Sequence, residues 1–241
     1  MDLGIEGRVA LVVAGSRGLG RASAEALAGE GARVMLSSRS EEALAEAATA
    51  LRATGAEVAT RAADITDPDA PALLVDATRE AFGTIDIVIA NAGGPPPARA
   101  LDLDDDQLGA ALNANLLSAI RLTRAAIPTM RSHGWGRFCY ITSYSVVQPI
   151  PTLALSNTAR TGLWAWVKTA AHDVAAEGSG ITMNLVCPGP HATDRMRQLG
   201  GTGPMGDPAD FGRIVAFLCS EQARFVNGAA LVVDGASTLA L

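Results

Sequence analysis

The chain has 241 residues, of which 49% are hydrophobic and 18% are charged, and its net charge is −6. This composition excludes an intrinsically disordered chain and favours one compact domain, residues 1–241, with a substantial core. The negative net charge excludes an overall positive potential that would attract nucleic acid or an anionic membrane. No apolar run reaches the length of a membrane span. The N-terminus lacks the charge pattern of a secretion signal, so we expect a cytoplasmic protein.

Short β-rich runs alternate with helical segments along the whole chain. The runs typical of strands are Arg8–Ala14, Ala32–Ser38, Glu57–Ala62, Ile85–Asn91, Arg137–Thr142, Ile181–Cys187 and Ala229–Val233. The helical segments are Leu19–Glu30, Glu41–Thr54, Asp69–Phe82, Asp104–Ser132, Thr152–Glu177 and Pro208–Cys219. Several strand runs are continuously apolar, which is typical of strands buried on both faces of a parallel sheet. The pattern predicts an α/β fold: a single doubly wound Rossmann domain in which a seven-stranded parallel sheet carries helices on both faces.

Candidate metal ligands show no useful spacing. Cys139, Cys187 and Cys219 are widely separated, and we interpret them as buried free thiols. The acidic run Asp102–Asp106 opens a predicted helix, where carboxylates accept hydrogen bonds from free N–H groups and complement the helix dipole. We therefore expect no metal site.

A glycine-rich turn follows the first strand and opens the first helix. Its sequence is Gly15-Ser16-Arg17-Gly18-Leu19-Gly20. Glycines at such a turn let the backbone approach a pyrophosphate, and the helix N-terminus stabilises the phosphate charge. The position of the turn in an alternating β/α chain predicts a dinucleotide site.

The end of the second strand indicates which dinucleotide is bound. An acidic residue there would bind the adenosine ribose of NAD(H), but the strand ends in Leu36-Ser37-Ser38-Arg39 without a carboxylate. Arg39 and Arg17 can form a cationic clamp on a 2′-phosphate, because guanidinium groups match phosphate geometry. We therefore predict NADP(H) over NAD(H), and the alternative is a pair of solvated surface arginines.

Further motifs occur in the order and on the elements that define a known family. They are Asp64-Ile65, Asn91-Ala92-Gly93, Asn115, Ser143, Pro188-Gly189 with Thr193, and Val233-Asp234-Gly235. With the glycine turn, they make essentially the whole chain resemble the short-chain dehydrogenase/reductase family, in the branch of the β-ketoacyl-carrier-protein reductases. The resemblance implies an adenine contact at Asp64, cofactor-loop packing by Asn91–Gly93, and carboxamide contacts after Pro188-Gly189. It also implies a small-molecule substrate and a homotetramer or homodimer built on the two long helices.

The chain departs from this family where the chemistry would occur. The family's tyrosine falls thirteen residues after the active serine, and that position is Ser156; the family's lysine four residues later is Arg160. In the family the phenol donates a proton to the carbonyl oxygen while the lysine lowers the phenol's pKa and holds the nicotinamide ribose. An alkyl hydroxyl is a far weaker acid, and its oxygen stops roughly 4 Å short of a tyrosine hydroxyl. The family's usual Thr-Gly opening of the glycine turn is also replaced, by Val13-Ala14.

Several other groups are candidates for the missing acid. Tyr144 directly follows Ser143, and Tyr140 lies within a strand and is interpreted as a core residue. His191 follows the proline–glycine loop and has an imidazole that titrates near neutral pH, although an exposed loop histidine would give the same pattern. A water chain ordered by Asn115 and Ser143 is the other source. We predict a non-standard proton relay through His191 or this water.

The segment after Thr193 is short for a substrate lid. Asp194–Leu199 runs directly into Gly200–Gly203, so we expect an open site in which those glycines order only when a ligand binds. The stiff run Gly94–Pro97 is expected to border the entrance. Two other functions remain open: a cofactor-binding scaffold used for non-redox catalysis such as dehydration or cyclisation, and a non-catalytic partner subunit.

Overall fold

A computed structural model describes residues 1–240 as one domain around a single parallel sheet. The strands are β1 Val9–Val13, β2 Arg33–Ser38, β3 Val58–Ala62, β4 Ile87–Ala90, β5 Gly136–Ile141, β6 Ile181–Pro188 and β7 Ala230–Val233. They lie in the order β3-β2-β1-β4-β5-β6-β7, and every neighbouring pair is parallel. The predicted Rossmann fold with seven parallel strands is confirmed.

Helices cover both faces of this sheet. They are α1 Gly18–Gly29, α2 Glu41–Arg52, α3 Ala70–Phe82, α4 Asp105–Leu112, α5 Ser118–His133, α6 Ala154–Ala176, α7 Asp194–Gln198 and α8 Pro208–Leu218. The apolar sides of α1, α2 and α8 pack on one face, and those of α3, α5 and α6 pack on the other. The strands between them are almost fully buried, which explains their continuous apolar runs.

The long predicted helix Asp104–Ser132 is two helices, and the prediction of one continuous helix is wrong. A π-helical turn, Asn113–Leu117, separates α4 from α5. The side chain of Asn113 donates to the carbonyl of Thr66 at 2.8 Å and accepts from Arg121 at 2.7 Å, so tertiary contacts hold the widened turn. No glycine or proline marks the interruption, which is why the sequence pattern missed it.

The acidic run before α4 caps that helix. Asp104 accepts from the backbone N–H of Gln107 at 2.7 Å, and the Gln107 side chain accepts in return from the backbone N–H of Asp104. The three cysteines are buried and form no disulfide. Among residues 1–240, no helix is long and apolar enough to cross a membrane.

The segment after β6 contains the short helix α7, to which the sequence pattern assigned no secondary structure. The hydroxyl of Thr193 accepts from the backbone N–H of Met196 and caps this five-residue helix. Residues 199–205 then lead to α8 without a further helix. The shortened lid is therefore one helical turn and a glycine-rich coil.

Candidate active site

The carboxyl ends of the parallel strands bring the predicted site residues to one edge of the sheet. This edge carries the glycine turn after β1, Arg39 after β2, Asp64-Ile65 after β3 and Asn91–Gly93 after β4. Ser143 follows β5, and the segment from Pro188, the last residue of β6, to Thr193 lies on the same edge. Strand β1 lies between β2 and β4 at the point where the strand order reverses, which is where ligands bind in open α/β sheets.

The glycine turn packs too tightly for side chains. A Cβ atom on Gly20 would lie 2.3 Å from the carbonyl oxygen of Ala14 and 2.7 Å from the amide nitrogen of Asn91. Gly15 donates its N–H to the carbonyl of Ser37 at 3.0 Å, which ties the turn to β2. Ser16 is buried and Leu19 half-buried. The first turn of α1 has no side-chain cap and no acidic residue, so its free N–H groups suit a phosphate.

Ala14, which the resemblance places where the family usually has glycine, adopts a left-handed backbone, with φ of 49°. Its carbonyl oxygen accepts from the Asn91 side chain at 3.5 Å. A residue with a Cβ is strained in this conformation. The turn therefore forms against the conformational preference of alanine.

The adenosine end of the edge carries the two predicted arginines. Arg17 and Arg39 are exposed, and neither side chain makes a hydrogen bond or ion pair with another of residues 1–240. Hydrogen bonds from the backbone and hydroxyl of Thr66 lower the pKa of Asp64, and the charge of Arg39 lowers it further. Arg39 thus lies within electrostatic reach of Asp64, with its guanidinium free to bind an anion.

The opposite end of the edge holds a small recess, with a cavity volume of about 10 Å³ and therefore room for about one water molecule. Its lining brings together five of the predicted site residues: Ile65, Asn91, Ala92, Asn115 and Arg160. Ser143, Ser156 and Tyr144 lie outside this lining. Two polar atoms of the lining residues, the Oδ1 of Asn115 and the Nε of Arg160, are buried without a hydrogen-bond partner, and they are an acceptor and a donor respectively.

The pair predicted to replace the family's tyrosine and lysine lies on the first turns of α6. Ser156 and Arg160 are each only 7% exposed. The Nη1 of Arg160 donates to the carbonyl of Ile141 at 2.9 Å. Burial lowers the pKa of Arg160 to about 10, so the guanidinium stays charged at neutral pH. This cation turns inward, toward the end of β5.

Ser143 starts the short 3₁₀ helix Tyr144–Val146, and its hydroxyl accepts from the backbone N–H of Ser145 at 3.1 Å. Tyr144 is half-buried in that helix.

Tyr140 is a core residue: it is fully buried and shares a hydrogen bond with Thr123 at 2.8 Å. Burial raises its pKa, which disfavours proton exchange.

His191 is a packed core residue, and the interpretation as an exposed loop histidine is wrong. It is 4% exposed, and its ring packs edge-on against Phe211 of α8 with centroids 5.3 Å apart. Its Nδ1 lies 3.0 Å from the carbonyl oxygen of Gly189. A loop has no periodic apolar pattern that would indicate its buried positions, so the burial of His191 could not be predicted from the sequence. These contacts favour a packing role for the imidazole.

Other loop residues complete the site. Gly189 packs against Asp234, where a Cβ atom would come within 2.4 Å of that side chain. Thr193 lies beside Gly18, which brings the lid to the glycine turn. Two residues that sequence reasoning missed also belong here: Cys187, whose thiol lies 3.2 Å from the Thr142 hydroxyl, and Arg195, which donates to the carbonyl of Pro95 at 2.7 Å. The only signal that the sequence offers is their position, since Cys187 directly precedes Pro188-Gly189 and Arg195 follows Thr193.

The chain is similar to known enzymes over nearly its whole length. The family profile described as Enoyl-(Acyl carrier protein) reductase matches residues 13–238. The 3-oxoacyl-(acyl-carrier-protein) reductase FabG of Escherichia coli (strain K12) is 32% identical, and the alignment covers 97% of this chain and 98% of that protein. Dehydrogenase/reductase SDR family member 4 of Bos taurus is 29% identical, over 97% and 88% of the two chains.

Solved structures agree in fold. The L-sorbose reductase of Gluconobacter frateurii, complexed with NADPH and L-sorbose, superposes with a TM-score of 0.93 at 29% identity over 100% of both chains. YwfH, an NADPH-dependent reductase involved in bacilysin biosynthesis, has a TM-score of 0.93 at 22% identity over 98% of this chain and 100% of that one, and shows the shared fold alone. The chain belongs to the short-chain dehydrogenase/reductase family, and it is an oxidoreductase of that type.

Proposed function

We propose that the protein is an NADP(H)-dependent oxidoreductase that interconverts a carbonyl and an alcohol by a non-standard proton relay. The observation that carries the cofactor choice is the pair of exposed, unpartnered arginines beside a second strand that ends without a carboxylate. A 2′-phosphate would give Arg17 and Arg39 the charged hydrogen bonds that they lack within residues 1–240. The L-sorbose reductase complexed with NADPH supports the same choice by similarity.

The residues present fit such a cofactor. Gly20 lets the turn pack closely against Ala14, the start of α1 offers free N–H groups, and Asn91 and Ala92 line the recess. When bound, the reduced cofactor supplies a hydride to the carbonyl carbon of the substrate. The chain must then supply, or pass on from water, the proton that the carbonyl oxygen takes up.

Calorimetric titration with NADPH and then NADH tests the cofactor assignment. We expect NADPH to bind at least tenfold more tightly, because a charged hydrogen bond contributes roughly 1.5–3 kcal/mol. Arg17→Met and Arg39→Met should each reduce this preference. Binding of neither dinucleotide would refute the oxidoreductase assignment for this site.

The proton relay rests on the two orphaned atoms in the recess. A buried amide oxygen and a buried guanidinium N–H that face a polar recess are the partners that an ordered water needs. Arg160 retains its proton at neutral pH, so it orients and polarises this water and does not itself supply the proton. Ser143 and Ser156 would orient the substrate oxygen. The burial of His191 and its contact with Gly189 favour water over the imidazole as the proton source.

Non-redox catalysis is the second candidate function, and the changed pair at the acid position favours it. The double variant Ser156→Tyr/Arg160→Lys separates the candidates. If the native protein lacks carbonyl reductase activity and the double variant gains it, the native site either catalyses non-redox chemistry or belongs to a non-catalytic partner subunit. If native reductase activity falls instead, the native pair already supports hydride transfer.

Assembly into a homodimer or homotetramer through the long helices is part of this proposal. Leu117, in the π-turn between α4 and α5, is 40% exposed and would become buried in such an interface. Light scattering would measure the mass, and Leu117→Glu should shift it toward the 24.7 kDa monomer. An unchanged mass would place the interface elsewhere.

A further inference from the structure

The C-terminal segment after β7 folds into a tight turn around the carboxylate of Asp234. One carboxylate oxygen accepts from the backbone N–H of Ala236 at 3.0 Å, and the other accepts from that of Thr238 at 2.7 Å. The backbone carbonyl of Asp234 accepts from the hydroxyl of Ser237 at 2.7 Å. Burial acts in the opposite direction, but the hydrogen bonds from Thr238 and Ala236 lower the pKa of Asp234, so its carboxylate is charged at neutral pH. These charged hydrogen bonds fix the path of residues 234–238.

This turn is attached to the loop that follows β6. The N–H of Gly189 donates to the carbonyl of Val233 at 2.9 Å. A Cβ atom on Gly189 would lie 2.4 Å from the Cβ of Asp234 and 2.7 Å from its Cα, so only glycine allows this approach. Gly189 belongs to the segment that the resemblance places beside the carboxamide of the cofactor. The C-terminal turn is therefore fixed to a loop at the edge that carries the candidate site.

Beyond the turn, the chain reaches the loop that follows β5. The side-chain oxygen of Gln148 accepts from the backbone N–H of Leu239 at 2.7 Å and from that of Ala240 at 3.2 Å. The side chain of Leu239 is 87% exposed and Ala240 is also exposed, so apolar burial does not hold these residues in place. Within residues 1–240 they make no other hydrogen bond, so Gln148 is the residue that holds them.

Gln148 also closes the 3₁₀ helix that Ser143 starts. The backbone N–H of Gln148 donates to the carbonyl of Tyr144 at 3.1 Å, and that of Val147 donates to the same carbonyl at 3.0 Å. At the other end of the helix, the hydroxyl of Ser143 accepts from the backbone N–H of Ser145 at 3.1 Å. Gln148 therefore belongs to this helix through its backbone and to the C-terminus through its side chain.

We propose that Gln148 is a positioning residue: by binding the C-terminal residues, it holds the 3₁₀ helix and Ser143 in place relative to the loop after β6. The last paired residues of β5 and β6 are Ile141 and Val186, so contacts beyond the sheet must fix the loops that follow. A misplacement of about 1 Å in a group that orients a substrate can cost about 10²-fold in rate. The inference rests on the proposed function, in which Ser143 orients the substrate oxygen.

Backbone amide exchange tests this connection without any ligand or substrate. Gln148→Met has a side chain of similar length without the acceptor oxygen, whereas Gln148→Glu keeps an acceptor. In Gln148→Met, the amides of Ser145 and Val147 should exchange about tenfold faster than in the native protein, since about one net hydrogen bond is lost. Gln148→Glu should keep the native exchange rates. Unchanged exchange in Gln148→Met overturns the proposal.

Removal of the donors tests the same contact from the other side. A chain that ends at Thr238 should loosen the 3₁₀ helix as much as Gln148→Met does. Combining the two changes should add nothing, because both remove one shared interaction. Leu239→Ala is the matched control, since it keeps the N–H and shortens only an exposed side chain. Additive effects in the combined variant, or faster exchange in Leu239→Ala, overturn the proposal.

Kinetics separate a positioning role from a purely structural one. Oxidation of NADPH is followed with 9,10-phenanthrenequinone as the carbonyl probe. Gln148→Met should lower kcat about tenfold and leave the affinity for NADPH unchanged, because the phosphates of the cofactor are expected at the glycine turn after β1. Gln148→Glu should keep the native kcat. Faster amide exchange with a native kcat overturns the positioning role. If the native protein shows no NADPH-dependent reduction, the proposed function fails, and amide exchange alone decides whether Gln148 holds the 3₁₀ helix.

Discussion

Replacing Ala14 by glycine should stabilise the protein, because Ala14 is held in a left-handed conformation with φ of 49°. That conformation costs an L-residue roughly 1–2 kcal/mol. Glycine pays no such cost, although its greater freedom in the unfolded chain offsets about 0.5–1 kcal/mol of the gain. We therefore expect Ala14→Gly to raise the free energy of unfolding by about 0.5–1 kcal/mol, which corresponds to a rise of about 1–4 °C in Tm for a domain of this size.

Differential scanning calorimetry without ligand measures this change, and Ala45→Gly is the control. Ala45 is exposed in the middle of α2, where glycine should lower stability by about 1 kcal/mol. Opposite signs for the two alanine-to-glycine changes would establish that backbone conformation, and not residue type, sets the effect. A lower Tm for Ala14→Gly would refute the argument that the turn is strained.

Three other changes test the site. Arg39→Met should weaken NADPH binding about tenfold or more and leave NADH binding unchanged in calorimetry, as loss of one charged hydrogen bond requires. Gly20→Ala should abolish dinucleotide binding and cost about 1–3 kcal/mol of stability, because its Cβ would lie 2.3 Å from a carbonyl oxygen; Gly29→Ala, with nothing within 4 Å, should leave binding unaffected. His191→Ala should lower Tm but reduce the rate of carbonyl reduction less than tenfold if water carries the proton, whereas a fall of about 10²–10⁴ would assign the acid to the imidazole.

The sequence predicted the architecture well because local patterns determine it. Continuous apolar runs such as Val9–Val13 are what a doubly covered parallel strand needs, and the glycines after several helices adopt the left-handed conformation that ends a helix, as Gly83 and Gly134 do. The π-turn at Asn113–Leu117 could not be predicted, since the contact that holds it comes from Thr66, 47 residues away in sequence.

The directions of the side chains in the site also could not be predicted from the sequence. The position of Arg160 on α6 follows from register, but its turn toward the carbonyl of Ile141 depends on the packing of α6 against the sheet. Likewise, His191 follows a predicted loop motif, and only the placement of Phe211 beside it shows that the imidazole is buried. Long-range packing decides these orientations, and a motif does not encode it.

The proposed replacements at the acid position, Ser156 for a tyrosine and Arg160 for a lysine, would belong together physically. A lysine there is useful because it lowers the pKa of a neighbouring phenol; once the phenol is a serine, no such partner remains. The cation is then free to turn inward, and a delocalised guanidinium tolerates partial burial better than a strongly hydrated ammonium does. Arg160 accordingly is charged at neutral pH although it is only 7% exposed. Restoring only Ser156→Tyr should therefore yield little reductase gain, because Arg160 already donates to Ile141, and the gain should require Arg160→Lys as well. Equal activity of the single and double variants would show that the two positions act independently.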